Sequence, residues 1–174
     1  YYNYPRAYKM IDELHPQAVI FSDGGPGCRW VGNEKGFAGA TNWSFLRAGE
    51  VYPGYPNYRE LQYGHADGNQ WVAAEGDVSI RPGWFYHPEE DGRVKTVDEL
   101  TDLYYRSVGH NATLLLNFPV DRDGLIHPTD SANAVNFHKN IQKQLEKNLL
   151  AGLSPKASDE RGKAFSAKAV TDND

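Results

Sequence analysis

Ala112-Thr113-Leu114-Leu115-Leu116, closed by Asn117-Phe118-Pro119, is the stretch that decides the fold of this chain. It is short, continuous and apolar, the pattern of a strand buried on both faces in a parallel sheet. Downstream, Thr129 stands as the cap of a long helix. Its apolar stripe is Ala134, Phe137, Ile141, Leu145 and Leu149, with lysines between. Upstream, the spacing predicts a second helix over residues 97–108. Thr96 and Glu99 form a capping box at its start, and Gly109 occupies the C′ position at its end. Trp71-Val72-Ala73-Ala74 before it reads as another apolar strand, ending at Glu75-Gly76-Asp77. At the front, Tyr4, Ala7, Tyr8, Ile11 and Leu14 mark a helix over residues 1–14 that Pro16 ends, and Ala18-Val19-Ile20-Phe21 is a third apolar strand. Such alternation implies a parallel α/β sheet. Three strands led by a helix neither close a barrel nor complete a doubly wound sheet, so the expectation is a domain truncated at its N-terminus. Residues 151–174 turn polar and are expected to be a linker or the start of a following domain.

Composition narrows the function. The net charge is −5 and no basic stripe exists, which speaks against nucleic acid as a partner. No apolar run approaches the ~20 residues of a membrane span. The single cysteine, Cys28, forms no internal disulfide and supports no zinc spacing, so neither a metal nor a cofactor is expected. Aromatic residues make up 13% of the chain, with 11 Tyr and 4 Trp among Gly- and Pro-shaped loops. Rings with polar tips suit a sugar-binding cleft, although Tyr-rich composition is also common in secreted proteins.

Residues 24–70 show no strong periodicity, and long loops in compact domains are commonly functional or disordered. The aromatics Trp30, Trp43, Tyr52, Tyr55, Tyr58 and Tyr63 argue against disorder. The segment follows the C-terminal end of a strand, where (β/α)8 barrels build their active sites. Glycoside hydrolysis commonly needs two carboxyl groups, about 5 Å apart in a retaining enzyme. Three stretches supply candidates. Glu34 in Arg29-Trp30-Val31-Gly32-Asn33-Glu34 could be a proton donor, or a solvated loop carboxylate. Glu75 and Asp77 at a strand end could face a site, or form a buried ion pair with Arg81. Arg81, Trp84 and His87 in Ser79-Ile80-Arg81-Pro82-Gly83-Trp84-Phe85-Tyr86-His87 could wall a pocket, or Arg81 could pair with Asp77 inside an aromatic-packed loop. His110, His127 and His138 read as surface or capping groups, Asp23 as a loop cap, and Asn117 at a strand end as a group that could orient a neighbouring carboxyl or, more commonly, satisfy backbone groups. Gly24-Gly25-Pro26-Gly27 lacks the helix and Lys-Ser/Thr of a phosphate loop. The sequons Asn42-Trp43-Ser44 and Asn111-Ala112-Thr113 are treated as chance matches.

Taken together, the Arg29–Glu34 stretch, the run from Trp71 through Glu75-Gly76-Asp77 to His87, Tyr104-Tyr105-Arg106-Ser107-Val108-Gly109-His110-Asn111, Leu114-Leu115-Leu116-Asn117 and Asp123-Gly124-Leu125-Ile126 resemble α-L-fucosidases of glycoside hydrolase family 29, in the branch that prefers α-1,3/1,4 linkages. The resemblance covers roughly residues 1–150. It implies the C-terminal half of a (β/α)8 TIM-like catalytic barrel, usually followed by a β-sandwich, and retaining hydrolysis of α-L-fucosides. It implies Glu34 as acid/base, with Glu75 as second choice, and Arg29, Trp30, Asp77, Arg81, Trp84 and His87 lining the fucose and aglycone subsites. The family's aspartate nucleophile sits in a Trp/Phe-Asp-Gly setting on an earlier strand. Asp23-Gly24 comes one strand too late, so the nucleophile is expected outside this chain. The implied partners are a fucosylated oligosaccharide or glycoconjugate and the missing N-terminal half of the barrel, and the substrate class implies a secreted or periplasmic location. A non-catalytic carbohydrate-binding fragment, a pseudo-enzyme or a merely structural half-barrel are the alternatives. An isolated half-barrel is expected to be poorly soluble or dimeric, because it exposes sheet edges and helix faces.

Overall fold

A computed structural model describes residues 2–171. Its centre is a four-stranded sheet, β1 (Phe21–Ser22), β2 (Cys28–Trp30), β5 (Ala73–Ser79) and β6 (Ala112–Asn117), in the order β1-β2-β5-β6 with every pair parallel. Strands β3 (Phe45–Leu46) and β4 (Gln70–Trp71) pair antiparallel in a small separate sheet. Helices α1 (Tyr4–Leu14), α2 (Val97–Ser107) and α3 (Pro128–Leu145) complete the frame. The α/β class with a parallel sheet therefore stands.

Parallel pairing fixes which side chains share a face. Glu75, Asp77 and Ser79 of β5 align with Thr113, Leu115 and Asn117 of β6, and Glu75 aligns with Trp30 of β2. The alternate residues Val78, Leu114 and Leu116 turn the other way and join Ile80, Val94, Leu100, Leu103, Phe118 and Phe137 in a core between sheet and helices. One face is thus apolar and covered. The other is polar and open, with Leu115 50% and Phe21 44% exposed.

Helix α2 starts where the sequence places it. The Thr96 hydroxyl accepts from Glu99 N, and the Glu99 carboxylate accepts from Thr96 N, closing the capping box. Thr96→Ala is expected to destabilise the fold by about 1 kcal/mol, read as a shift in the urea midpoint at unchanged slope.

Four local expectations are corrected. Gly109 does not end α2 in the left-handed region. A 3-10 turn, Val108–His110, continues the helix, and Asn111 takes the positive φ of 58°. Asn111 manages this because its amide donates to Asn42 O and Ser44 Oγ, which holds the backbone there. The cap of α3 is His127, whose ring Nδ1 accepts from Thr129 N, and Pro128 opens the helix. The run Ala18-Val19-Ile20 stays outside the sheet, leaving only Phe21–Ser22 paired. Finally, the irregular segment contains a strand of the parallel sheet, β2. Three residues with an arginine at the centre carry no apolar run, so periodicity could not detect it.

From β2 to β5 the chain crosses back without an α-helix, using a 3-10 turn (Tyr58–Gln62) and the β3–β4 pair. Arg29 holds this crossover. Its guanidinium is fully buried and donates to Leu61 O (3.1 Å), Val72 O (2.6 Å) and Asn42 Oδ1. Asn42 in turn donates to His110 O and Asn111 O. Both sequon asparagines are therefore spent on internal hydrogen bonds. Burial pulls the Arg29 guanidinium down to about 10, still charged at neutral pH. Among the described residues of the tail there is no strand. Single 3-10 turns occur at Lys163–Phe165 and Ala167–Thr171.

Candidate active site

The open face of the sheet collects the carboxylates. Cys28, Trp30, Glu75 and Asp77 project from neighbouring strands on that side. The Trp30 indole N–H donates to Asp77 Oδ1 at 2.6 Å, and the Cys28 thiol approaches Glu75 Oε2 at 3.6 Å. Burial, then the charge of Glu75, pushes the Cys28 thiol up to about 11, so it remains protonated and acts as a donor. Asp77 is half-buried. Desolvation holds its pKa above the ordinary value against the Trp30 hydrogen bond, and the nearby charge of Glu34 adds to the rise. A raised carboxyl favours the folded state at low pH, and that contribution is lost as the pH climbs through its titration.

Glu34 lies just past the C-terminal end of β2. Gly32 makes the turn possible, with φ of 76° and a backbone packed so closely on Tyr58 that no Cβ would fit. The Glu34 side chain is exposed, and its Oε2 accepts from the Trp84 indole N–H at 3.0 Å. Trp30, Asn33, Glu34, Lys35, Phe37, Tyr58, Arg59 and Gln62 surround a groove, where Trp30 stacks on Tyr58 with centroids 6.4 Å apart. The two carboxylates Glu34 and Asp77 are thus each held by one indole N–H.

Trp84 sits on a loop tied down at both ends. Asn117 Nδ2 donates to Trp84 O and to Ser79 Oγ, both at 3.1 Å. At the other end Arg81 is fully buried. It donates to both oxygens of Asp130 (2.8 and 2.9 Å), lies 2.9 Å from Asp91 Oδ1, donates to His87 O, and has the Tyr86 ring 4.7 Å from its carbon.

Of the residues expected to form the site, the structure brings together Glu34, Trp30, Asp77, Trp84 and Glu75. Two others lie elsewhere. Arg29 projects to the covered face, and Arg81 is enclosed between Asp130 at the start of α3 and Asp91 of the 3-10 turn Pro88–Arg93, so both are fully buried and spent on internal partners. The alternative pairing of Arg81 with Asp77 or Glu75 also falls, because Arg81 takes Asp130 and Asp91 instead. His87 stands exposed, its ring 4.0 Å from Glu89. Asp23 caps a loop by accepting from Gly54 N at 2.6 Å. Asn117, marked from sequence as a strand-end group that could orient a neighbouring carboxyl or satisfy backbone groups, donates to the Trp84 carbonyl and the Ser79 hydroxyl, and Asp130 was not marked. A polar residue ending an apolar strand was the available signal for Asn117, and nothing local distinguished Asp130.

No family model matches the chain. It is 41% identical over 160 residues to α-L-fucosidase 1 of Arabidopsis thaliana, covering 89% of this chain and 30% of that protein. Among solved structures, a candidate α-L-fucosidase from Bacteroides thetaiotaomicron superposes with a TM-score of 0.89 at 44% identity, covering 98% of this chain and 38% of that one. A glycoside hydrolase 29 family member from an unknown rumen bacterium gives a TM-score of 0.80 at 46% identity, covering 90% of this chain and 28% of that one. The chain spans about a third of the length of the relatives it matches.

Proposed function

We propose, for a chain whose sequence and fold are those of a segment of the family 29 α-L-fucosidases, that it is the C-terminal half of a (β/α)8 catalytic barrel that releases α-L-fucose from α-1,3/1,4-fucosylated glycans with retention. The observation that carries this reading is the Glu34 carboxylate: exposed, beyond a strand's C-terminal end, and oriented by the Trp84 indole. The indole occupies Oε2, which leaves Oε1 free to exchange a proton with substrate. Glu75 is less suited, because it sits in the body of β5 with the Cys28 thiol against it.

In the first step an aspartate from the N-terminal half of the barrel attacks the anomeric carbon. The glycosidic C–O bond breaks, and Glu34 gives its proton to the departing oxygen. In the second step the Glu34 carboxylate takes a proton from water. The water oxygen bonds to the anomeric carbon, and the ester bond to the aspartate breaks. Two inversions return the α configuration. Trp30 offers a flat apolar face to the sugar and is fixed by Asp77, Trp84 holds the Glu34 carboxylate, and His87 offers an exposed imidazole on the aglycone side. The partners are a fucosylated glycan and the N-terminal half of the barrel, in a secreted or periplasmic setting.

The test is release of L-fucose from an α-1,3/1,4-fucosylated trisaccharide by the full-length parent, with the first-formed anomer followed by NMR. Initial α-fucose is expected. Initial β-fucose would overturn the retaining mechanism, and no fucose at all would favour a non-catalytic carbohydrate-binding protein.

A further inference from the structure

We infer that Asn117 and Trp84 form a positioning relay for Glu34, so that the end of β6 sets the aim of the proton-transferring carboxylate on the loop after β2. The inference rests on the reading of Glu34 given above.

Glu34 belongs to an exposed loop. The only side-chain hydrogen bond recorded for its carboxylate among the described residues is the one from Trp84 Nε1, 50 residues further along the chain. A glutamate held by its own loop alone keeps its rotamer freedom and spends much of its time away from a reacting oxygen. The indole removes that freedom only if its own backbone is held. Trp84 follows Pro82-Gly83, a stretch with little backbone support of its own. What fixes it is Asn117 Nδ2, which reaches Trp84 O and Ser79 Oγ at equal lengths. Asn117 also contributes its carbonyl to Ile80 N, so the strand end holds both sides of the loop base. Indole is a donor only, so the bond to Glu34 Oε2 has one sense and selects one oxygen. Neither Asn117 nor the Trp84 backbone needs to touch substrate. A misplacement of about 1 Å in a catalytic group can cost about a hundredfold in rate, so the relay has leverage without chemistry of its own.

The test uses Trp84→Phe and Asn117→Asp in the full-length parent. Phe keeps a ring and removes the donor. Asp keeps the shape and replaces the donating amide with an acceptor. The substrates are a fucosylated trisaccharide, whose sugar leaving group needs a proton, and a dinitrophenyl α-L-fucoside, whose phenolate leaves without one. For the dinitrophenyl substrate kcat/KM reports only formation of the fucosyl-enzyme, whereas kcat reports its hydrolysis, which needs Glu34 as base. The expected result is kcat/KM for the trisaccharide down about tenfold to a hundredfold. With the dinitrophenyl fucoside, kcat/KM stays unchanged while kcat falls and is restored by azide. Lost stacking against fucose would lower kcat/KM for both substrates. Lost contact with the aglycone would leave the dinitrophenyl kcat untouched. Either pattern overturns the relay. Should Asn117→Asp fail to fold, Trp84→Phe alone decides, with its melting temperature as the check on structure. A parent that turns over neither substrate overturns the fucosidase reading and this inference with it. A parent that is active, with variants matching it, overturns the inference alone.

Discussion

Glu34→Gln in the full-length parent is expected to lower kcat/KM for a fucosylated trisaccharide by about a hundredfold to ten-thousandfold, the range that positioned proton transfer contributes. Gln keeps the shape of the side chain and still accepts from the Trp84 indole through its carbonyl, so the loop stays in place and the loss isolates the missing proton. The trisaccharide is the sensitive substrate because an alkoxide leaves poorly. Azide does little for it, since formation of the fucosyl-enzyme remains slow. With a dinitrophenyl α-L-fucoside the intermediate forms readily and then stalls for lack of a base. Azide, which needs no base, attacks it and restores turnover as α-fucosyl azide. Loss and rescue in Glu75→Gln with a fully active Glu34→Gln would move the acid/base to β5. Loss in neither would remove both carboxylates from the chemistry.

Arg81→Met is the substitution with the largest expected cost to stability, about 3–5 kcal/mol, because it strands Asp130 without its cation. Both side chains of that pair are fully buried, and the guanidinium bridges the end of β5 to the first turn of α3. Asp91 and the Tyr86 ring each lose one of their contacts as well. The melting temperature of the domain should fall by roughly 6–20 °C on that basis. Arg47→Ala is the control. Arg47 makes two ion pairs, with Asp67 and Glu50, but all three side chains are largely solvated, so the melting temperature should hardly move. Equal losses in the two variants would mean that Arg81 is no clamp. Because Arg81 anchors the loop that carries Trp84, the same substitution should also lower fucosidase turnover, in proportion to the fraction of folded protein whose loop has loosened.

The α/β class, α2 with its capping box, the apolar strand β6, and Phe137 and Ile141 of the α3 stripe were legible from residue order, whereas Leu145 and Leu149 of that stripe are exposed and Leu149 lies beyond α3. Each of the legible features rests on interactions within a few residues, or on burial periodicity that the sequence spells out directly. Glu34 and Asp77 were legible as candidates, because carboxylates at strand ends and in the loops beyond them are where a barrel exposes its chemistry. β5, however, starts at Ala73 and runs on to Ser79, which leaves Glu75 and Asp77 inside the strand and not at its end. The resemblance to family 29 ranked Glu34 first, and periodicity had no part in that. β2 was not legible. Its three residues show no alternation, and its central arginine looks like a surface residue until Leu61 O, Val72 O and Asn42 are seen to converge on it.

By itself, then, the sequence determined the alternation of strands and helices, the cap that starts α2, the proline that ends α1, and the short list of carboxylates that chemistry could use. Local hydrogen bonds and hydrophobic spacing act between near neighbours, so they are written in the order of residues. Only the tertiary structure decided which charges are buried in the framework and which face the open side of the sheet. Arg29 and Arg81 look like ligand-binding arginines in the sequence. They are buried because their partners, Asn42 and Asp130, arrive from distant segments and match their donors in space. Long-range packing likewise decided that Trp84 should meet Glu34 and that Asn117 should hold Trp84. Those contacts depend on the register of β5 against β6 and on the path of the crossover, and no property of the neighbouring residues encodes either.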